Sequence, residues 1–329
     1  MLKKLIMFLV LSLSLSAVAA QKINGAGATF PYPIYSKWFS EYQKAHANVE
    51  FNYQSIGSGG GIKQVLAQTV DFGATDAPMT DAEMKSAKAP IRHIPTVLGA
   101  VTIAYNVKGL ENNLKLEGQT IADIFQGKIT KWNDAAIAKL NPKAKLPATD
   151  ILVVRRSDGS GTTAVFSTFL AEVSADWKTK VGAGKNINWP AGIGAKGNEG
   201  VTAMISQTDG AIGYVELAYA INNKLSMAAV KNKKGEFVSP TVDSISKSAA
   251  SVKDANGDLR ISVINADGKG VYPISSFTWI LLPQGDTPAL KEIKTFLGWA
   301  LMDGQKFASD LHYAPLPKKL SEGLVKTLK

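Results

Sequence analysis

Residues 155–164 read Arg-Arg-Ser-Asp-Gly-Ser-Gly-Thr-Thr-Ala. The apolar run Ile151-Leu152-Val153-Val154 ahead of them reads as a buried strand, and Ala164 to Ala171 after them reads as a helix. The stretch is therefore a strand-to-helix turn carrying two guanidinium groups, one carboxylate, small hydroxyls and two glycines. A helix start leaves backbone N–H groups without internal acceptors and can aim them at an anion. Arg156 and the hydroxyls of Ser160 and Thr162 would add side-chain donors. Alone, the stretch is equally well an ordinary turn with a capping serine.

Two earlier turns share its chemistry. Ile23-Asn-Gly-Ala-Gly-Ala-Thr-Phe-Pro-Tyr-Pro33 ends a short strand and opens a helix on which Ile34, Trp38 and Tyr42 recur at helical spacing. Pro31 and Pro33 suit a first helical turn, where a missing N–H costs nothing. Val49 to Gln54 alternates apolar and polar as a half-buried strand and runs into Ser55-Ile-Gly-Ser-Gly-Gly-Gly61 and a helix from Ile62. Each turn offers a small hydroxyl and free N–H groups: Thr29 and Phe30, then Ser58, then Ser160 and Thr162. In open α/β sheets such ends lie at the carboxyl ends of strands, where ligands bind.

The remaining chain continues the alternation of strand and helix. Val70 to Pro78 is a short strand and turn with Asp76 near its tip, and a helix is expected from Asp81. Ile94 to Val107 reads as one strand to about Leu98, a crossing, and a second strand from Val101. Thr120 and Asn133 are candidate helix caps, Asn198 to Ser206 a helix, and Ala211 to Val215 a strand. Residues 231–270 are polar with weak periodicity and read as surface loops, and Val271 to Pro283 as a strand. This alternation predicts an α/β architecture with mostly parallel sheets.

Composition narrows the function classes. The 329 residues suffice for about two domains at ~150 residues each. At 45% hydrophobic and 19% charged residues, the chain has globular composition and can bury a sizeable core. Residues 1–20 have a charged start at Lys3-Lys4, an apolar run from Leu5 to Leu15 and small residues to Ala20. These features predict a signal peptide cleaved after Ala19 or Ala20, and export to a periplasm. The run is too short to favour a membrane anchor. No cysteine is present, so disulfides and a lipid on an N-terminal cysteine are excluded. The formal charge of +10, two less without Lys3 and Lys4, favours anionic ligands. The lysines are scattered, and the short clusters Lys231 to Lys234 and Lys318-Lys319 carry no aromatic interleaving, so no nucleic-acid partner is expected.

Chemical motifs fail one by one. In Gly25 to Phe30, Phe30 stands where a dinucleotide fingerprint needs its third glycine. Gly57 to Gln64 lacks the Lys-Ser/Thr pair of a phosphate-binding P-loop. No Gly-x-Ser-x-Gly elbow surrounds Ser58 or Ser160. His46, His93 and His312 have no neighbours at metal-ligand spacing, and Leu259 and Asn265 spoil a calcium loop at Asp254 to Asp258. No metal or cofactor is expected. Many anion donors with few catalytic groups favour binding over chemistry. Asp76 is the outlier: a carboxylate beside an oxyanion is repulsive unless a proton lies between them.

Taken together, Gly25 to Pro31, the Gly57-Ser58 turn, Val70 to Pro78, Gly127-Lys-Ile-Thr-Lys-Trp132, Val154 to Thr162 and Gly210-Ala-Ile-Gly-Tyr-Val-Glu216 closely resemble the periplasmic phosphate-binding proteins of ABC-type phosphate transporters, within the substrate-binding protein family. The resemblance runs from about Ile23 to about Pro317. It implies a two-lobed periplasmic-binding-protein fold of type II, with phosphate in the cleft between lobes and a membrane permease as partner for a protein monomeric in solution. Crossings near residues 98 and 272 make lobe I residues 21–97 and 273–329, and lobe II residues 98–272. It implies phosphate ligands at Thr29, Phe30 (through its N–H), Ser58, Asp76, Arg156, Ser160, Gly161 (through its N–H) and Thr162, with Asp158 holding Arg156. Asp76 would accept the proton of the bound phosphate. Serine is frequent in the family where Gly59 stands. Another tetrahedral oxyanion, such as sulfate or molybdate, is the alternative ligand. A phosphatase using Ser58 or Ser160 is the enzymatic alternative, and it lacks an evident base.

Overall fold

The computed structural model describes residues 20–110, 114–250, 252 and 257–328. The expected signal peptide lies outside these residues except for Ala20. The chain opens with β1 (Gln21–Gly27), α1 (Tyr32–Ala45), β2 (Val49–Ser55), α2 (Ser58–Ala67), β3 (Phe72–Thr75) and α3 (Asp81–Lys85). A long strand follows, β4 (Ile91–Asn106), then β5 (Lys115–Leu116), α4 (Gly118–Phe125) and α5 (Ala135–Leu140). Next come β6 (Leu152–Arg156), α6 (Gly161–Val173), α7 (Ala175–Lys180), β7 (Ile193–Ala195), α8 (Gly197–Gln207), β8 (Ala211–Glu216) and α9 (Leu217–Asn222). Short strands β9 (Ser226–Met227), β10 (Ala229–Lys231) and β11 (Phe237–Val238) precede α10 (Val242–Ser248). The chain closes with β12 (Ser275–Pro283), α11 (Pro288–Ala300), two 3₁₀ turns and α12 (Lys318–Thr327).

The main sheet has the strand order β2-β1-β3-β12-β4-β8-β6-β7. β1, β2 and β3 are mutually parallel, as are β6, β7 and β8. The centre is antiparallel: β12 pairs with both β3 and β4, and β4 with β8. One continuous strand therefore replaces the expected strand–crossing–strand at 94–107. Its residues Ile91 to Ala100 pair with β12, and Val101 to Asn106 pair with β8. Pro95 does not interrupt it: Pro95 stays opposite Trp279, and the register slips beside it between Thr278 and Trp279, leaving Thr96 as the extra residue on β4.

This register positions the site. β3 ends at Thr75, opposite Trp279, which lies opposite Pro95. β8 runs the other way and ends at Glu216, opposite Val101. The two parallel sets thus point at each other along β4, and their carboxyl ends meet at the level of residues 95–101. Helices on either side bury two aromatic cores. Phe39, Tyr42, Phe51, Phe72 and Phe296 pack in the first half, and Phe125, Phe166, Trp177, Trp189 and Tyr214 in the second.

Local expectations shift in physical ways. Asp134, not Asn133, caps α5 by accepting from Ala136 N–H (2.8 Å). α4 begins at Gly118, so Thr120 lies inside it. β12 begins at Ser275 rather than Val271, and the polar stretch 231–270 contains β11 and α10. Thr241 starts α10 with a capping box to Ser244, a signal too short for periodicity to reveal.

Gly27 closes β1 at φ +150°, and a Cβ there would collide with the Ala74 carbonyl. We expect Gly27→Ala to cost about 2 kcal/mol or more of stability, from overpacking plus backbone strain. Chemical denaturation of ligand-free protein checks this, and a loss below about half that value overturns the close-approach argument.

Candidate anion-binding site

Four helix starts converge where the carboxyl ends meet. α1 follows Thr29-Phe30, α2 begins at Ser58 and α6 begins at Gly161. The fourth, α8, begins at Gly197 and was not singled out from sequence as a ligand-facing turn. Ser58 and Gly161 are the first helical residues of α2 and α6, so their N–H groups have no intrahelical acceptor. Gly57 (φ +87°) lets the backbone turn into α2, and Asp158 and Gly159 pack so closely that no Cβ fits.

Asp76 lies just past β3 and is 1% exposed. Its Oδ1 accepts a hydrogen bond from Thr278 Oγ1 (2.9 Å), and its Oδ2 accepts a long one from Ser58 Oγ (3.4 Å). Its own N–H donates to Ser58 Oγ (3.2 Å). Burial pushes its pKa up to about 7, against the opposing influence of Thr278, Arg156 and Ser58. Gly161 faces this carboxyl across the cleft: a Cβ on Gly161 would stand 2.6 Å from Asp76 Oδ2 and collide with Ser58 Oγ.

Arg156 ends β6 and is 3% exposed. Asp158 grips it with two bonds, Nε to Oδ1 (2.8 Å) and Nη2 to Oδ2 (2.5 Å). The bidentate pair leaves Nη1, which donates to Thr162 Oγ1 (3.3 Å). Asp158 Oδ1 also accepts from Gly197 N–H (3.1 Å), tying this pair to the start of α8. Its carboxyl is held below the usual range by Arg156 and Gly197, against the opposing desolvation. Ser160 caps α6 by accepting from Thr163 N–H (3.0 Å).

Thr29 stands on the opposite wall. Its Oγ1 accepts from Asn198 N–H (3.2 Å) and from Asn198 Nδ2 (2.8 Å). Phe30 is fully buried with its ring against Gly99, and its carbonyl accepts from Tyr313 OH (2.6 Å). Contacts bring Ser58, Asp76 and Gly161 together, and link Arg156, Asp158 and Thr162 through Asn198 to Thr29; Phe30 and Ser160 are buried beside Thr29 and Gly161 in the chain. Sequence reading missed Asn198 and Thr278. Asn198 had a usable signal, since it opens another strand-to-helix turn. Thr278 had none, because it lies within an apolar strand. Among the described residues, no cluster of three His, Cys, Asp or Glu could hold a metal ion.

Direct contacts link the walls of this region. Gly59 N–H donates to the Gly159 carbonyl (2.9 Å), joining the second and third turns. Lys185 pairs with Glu83 (3.1 Å), and Tyr219 OH donates to the Thr29 carbonyl (2.7 Å).

A sheet whose two parallel sets turn their carboxyl ends and helix starts towards one buried region has the architecture of a solute-binding protein, and comparison with known proteins says which. Residues 14–303 match the PBP superfamily domain. The chain is 47% identical over 303 residues to the phosphate-binding protein PstS of Xylella fastidiosa, covering 91% of this chain and 82% of that one. It is 46% identical over 305 residues to the PstS of Pasteurella multocida, covering 92% and 88%. Among solved structures, a phosphate-binding protein from Stenotrophomonas maltophilia matches with TM-score 0.72 at 20% identity over 93% of this chain and 94% of that one. The chain belongs to the PstS family of phosphate-binding proteins within the PBP superfamily.

Burial raises the Asp76 pKa from the ordinary 3.8 to about 7, so between about 4 and 7 the folded state holds a proton that the unfolded state has lost. Stability of the ligand-free protein therefore falls as pH rises through that window. Asp76→Asn removes this dependence. The variant should melt above wild type at pH 8, with the gap shrinking at pH 4; calorimetry at both values measures it. An equal gap at both pH values contradicts the assigned shift.

Proposed function

We propose that this protein binds inorganic phosphate between Thr29, the Phe30 N–H, Ser58, Asp76, Arg156, Ser160, the Gly161 N–H and Thr162. It would then present the phosphate to the membrane permease of an ABC-type importer. The observation that carries this reading is the buried Asp76 carboxyl, bonded by the Thr278 and Ser58 hydroxyls and facing the Gly161 helix start, with Arg156 close enough to act on its charge. Phosphate at neutral pH carries a proton, which Asp76 accepts in a charge-assisted hydrogen bond. Sulfate carries none, so sulfate binding requires Asp76 to take a proton from solvent. An unpaired buried carboxylate against a second anion is too costly to persist.

Membership of the PstS family supports the phosphate reading and the transport role. A structural neighbour from Clostridium perfringens is described as a putative phosphate ABC transporter substrate-binding protein with bound phosphate (TM-score 0.67, 17% identity, 90% of this chain and 100% of that one). The signal-like residues 1–20 support export to the periplasm. We read lobe I as residues 21–97 and 273–329 and lobe II as residues 98–272, hinged where β4 changes partner. The protein acts by binding, as a monomer, without turnover.

Calorimetry on refolded, phosphate-free protein should give a phosphate dissociation constant in the micromolar range or tighter. Sulfate should bind far more weakly at pH 9 and gain about tenfold in affinity per pH unit lowered towards the Asp76 midpoint, because one proton enters with it. Asp76→Asn should flatten that gain. Absence of micromolar phosphate binding overturns the reading; a sulfate affinity indifferent to pH overturns the role of Asp76.

A further inference from the structure

Asn198 joins the Thr29 turn to the Thr162 turn, and both of its Nδ2 protons are used in doing so. Its Oδ1 accepts from Glu216 N–H (3.0 Å). That bond fixes the amide orientation, since only the oxygen can meet a backbone donor. The two Nδ2 protons then go to Thr29 Oγ1 (2.8 Å) and Thr162 Oγ1 (3.2 Å), and the backbone N–H goes to Thr29 Oγ1 (3.2 Å). Asn198 is completely buried.

A hydroxyl has two acceptor lone pairs and one proton. Both lone pairs of Thr29 Oγ1 are filled by Asn198. Those of Thr162 Oγ1 are filled by Asn198 Nδ2 and Arg156 Nη1. Each hydroxyl is left with only its proton to offer. We infer that Asn198 is a positioning residue that makes Thr29 and Thr162 obligate hydrogen-bond donors to the ligand, one from each half of the molecule.

The carboxyl of Glu216 lies beside this amide. It is fully buried, Oε2 accepts from Ala218 N–H (2.7 Å), and burial pushes its pKa well above the ordinary value. Asn198 thus takes its orientation from the end of β8 and passes it to both threonines. A threonine free to rotate could accept a proton from the ligand as readily as donate one. With Asn198 in place neither threonine can, so the directionality of the cage rests on this amide.

This inference rests on the phosphate reading, and the experiment separates the two. Phosphate affinity is measured by calorimetry at pH 8 for wild type, Asn198→Ala, Thr29→Val and the double variant, each with its melting temperature. Asn198→Ala should weaken binding about tenfold or more. Thr29→Val should cost at least threefold less in the Asn198→Ala background than in wild type, because the hydroxyl has already lost its imposed direction. Wild-type binding together with independent losses, or an Asn198→Ala affinity within twofold of wild type, overturns the inference and leaves the phosphate reading standing. No phosphate binding by wild type overturns both.

A second measurement needs no variant. Proton and phosphorus NMR of the wild-type complex should show through-bond coupling of phosphorus to the Thr29 and Thr162 hydroxyl protons and none to the Asn198 amide protons. Coupling to the amide protons would make Asn198 a direct ligand and overturn the positioning role.

Discussion

The buried carboxyl of Asp76 is the constraint to which the site is fitted. An ionised carboxylate in a dry interior needs hydrogen bonds or a proton. Thr278 from β12 and Ser58 from α2 provide part of this, and the raised pKa near 7 records what they leave unmet. Gly161 must lack a side chain for the opposing helix start to approach. The carboxyl therefore couples β3, β12, α2 and α6, two of them antiparallel neighbours in the sheet and one from the far side of the cleft.

Charge in the cage is balanced locally. Arg156 is matched by Asp158, so a fully buried guanidinium does not stand alone in the ligand-free protein. Burial pushes the Glu216 carboxyl well above its ordinary range. An arriving anion then meets mostly neutral dipoles, from hydroxyls and helix starts, which need no reorganisation. Contacts between the walls include a backbone hydrogen bond from Gly59 to Gly159, the Tyr219 hydroxyl on the Thr29 carbonyl, the Asn198–Thr29 bonds and the ion pairs Lys185–Glu83 and Arg260–Asp81.

Much of this is legible in the sequence itself. The turns at Thr29, Ser58 and Ser160 were readable because each is a local event: a strand, a small hydroxyl, a glycine and a helix within about ten residues. Asp158 beside Arg156 was readable for the same reason, being two residues away. The unbroken course of β4 was not, because Pro95 and Gly99 are local punctuation that the neighbouring strand overrides through a bulge at Thr278/Trp279. Thr278 was hidden in an apolar run. Asn198 stood in an unremarked turn whose partners lie 169 and 36 residues away.

The sequence by itself determined the class of fold, the chemistry of the donors and Asp76 as the outlying carboxylate, since these follow from residue type and short-range periodicity. The tertiary structure alone decided which donors face that carboxylate and in which direction each hydroxyl points. Both depend on strand register and on hydrogen bonds between residues far apart in the chain, where one residue of slip along β4 would turn every side chain to the other face.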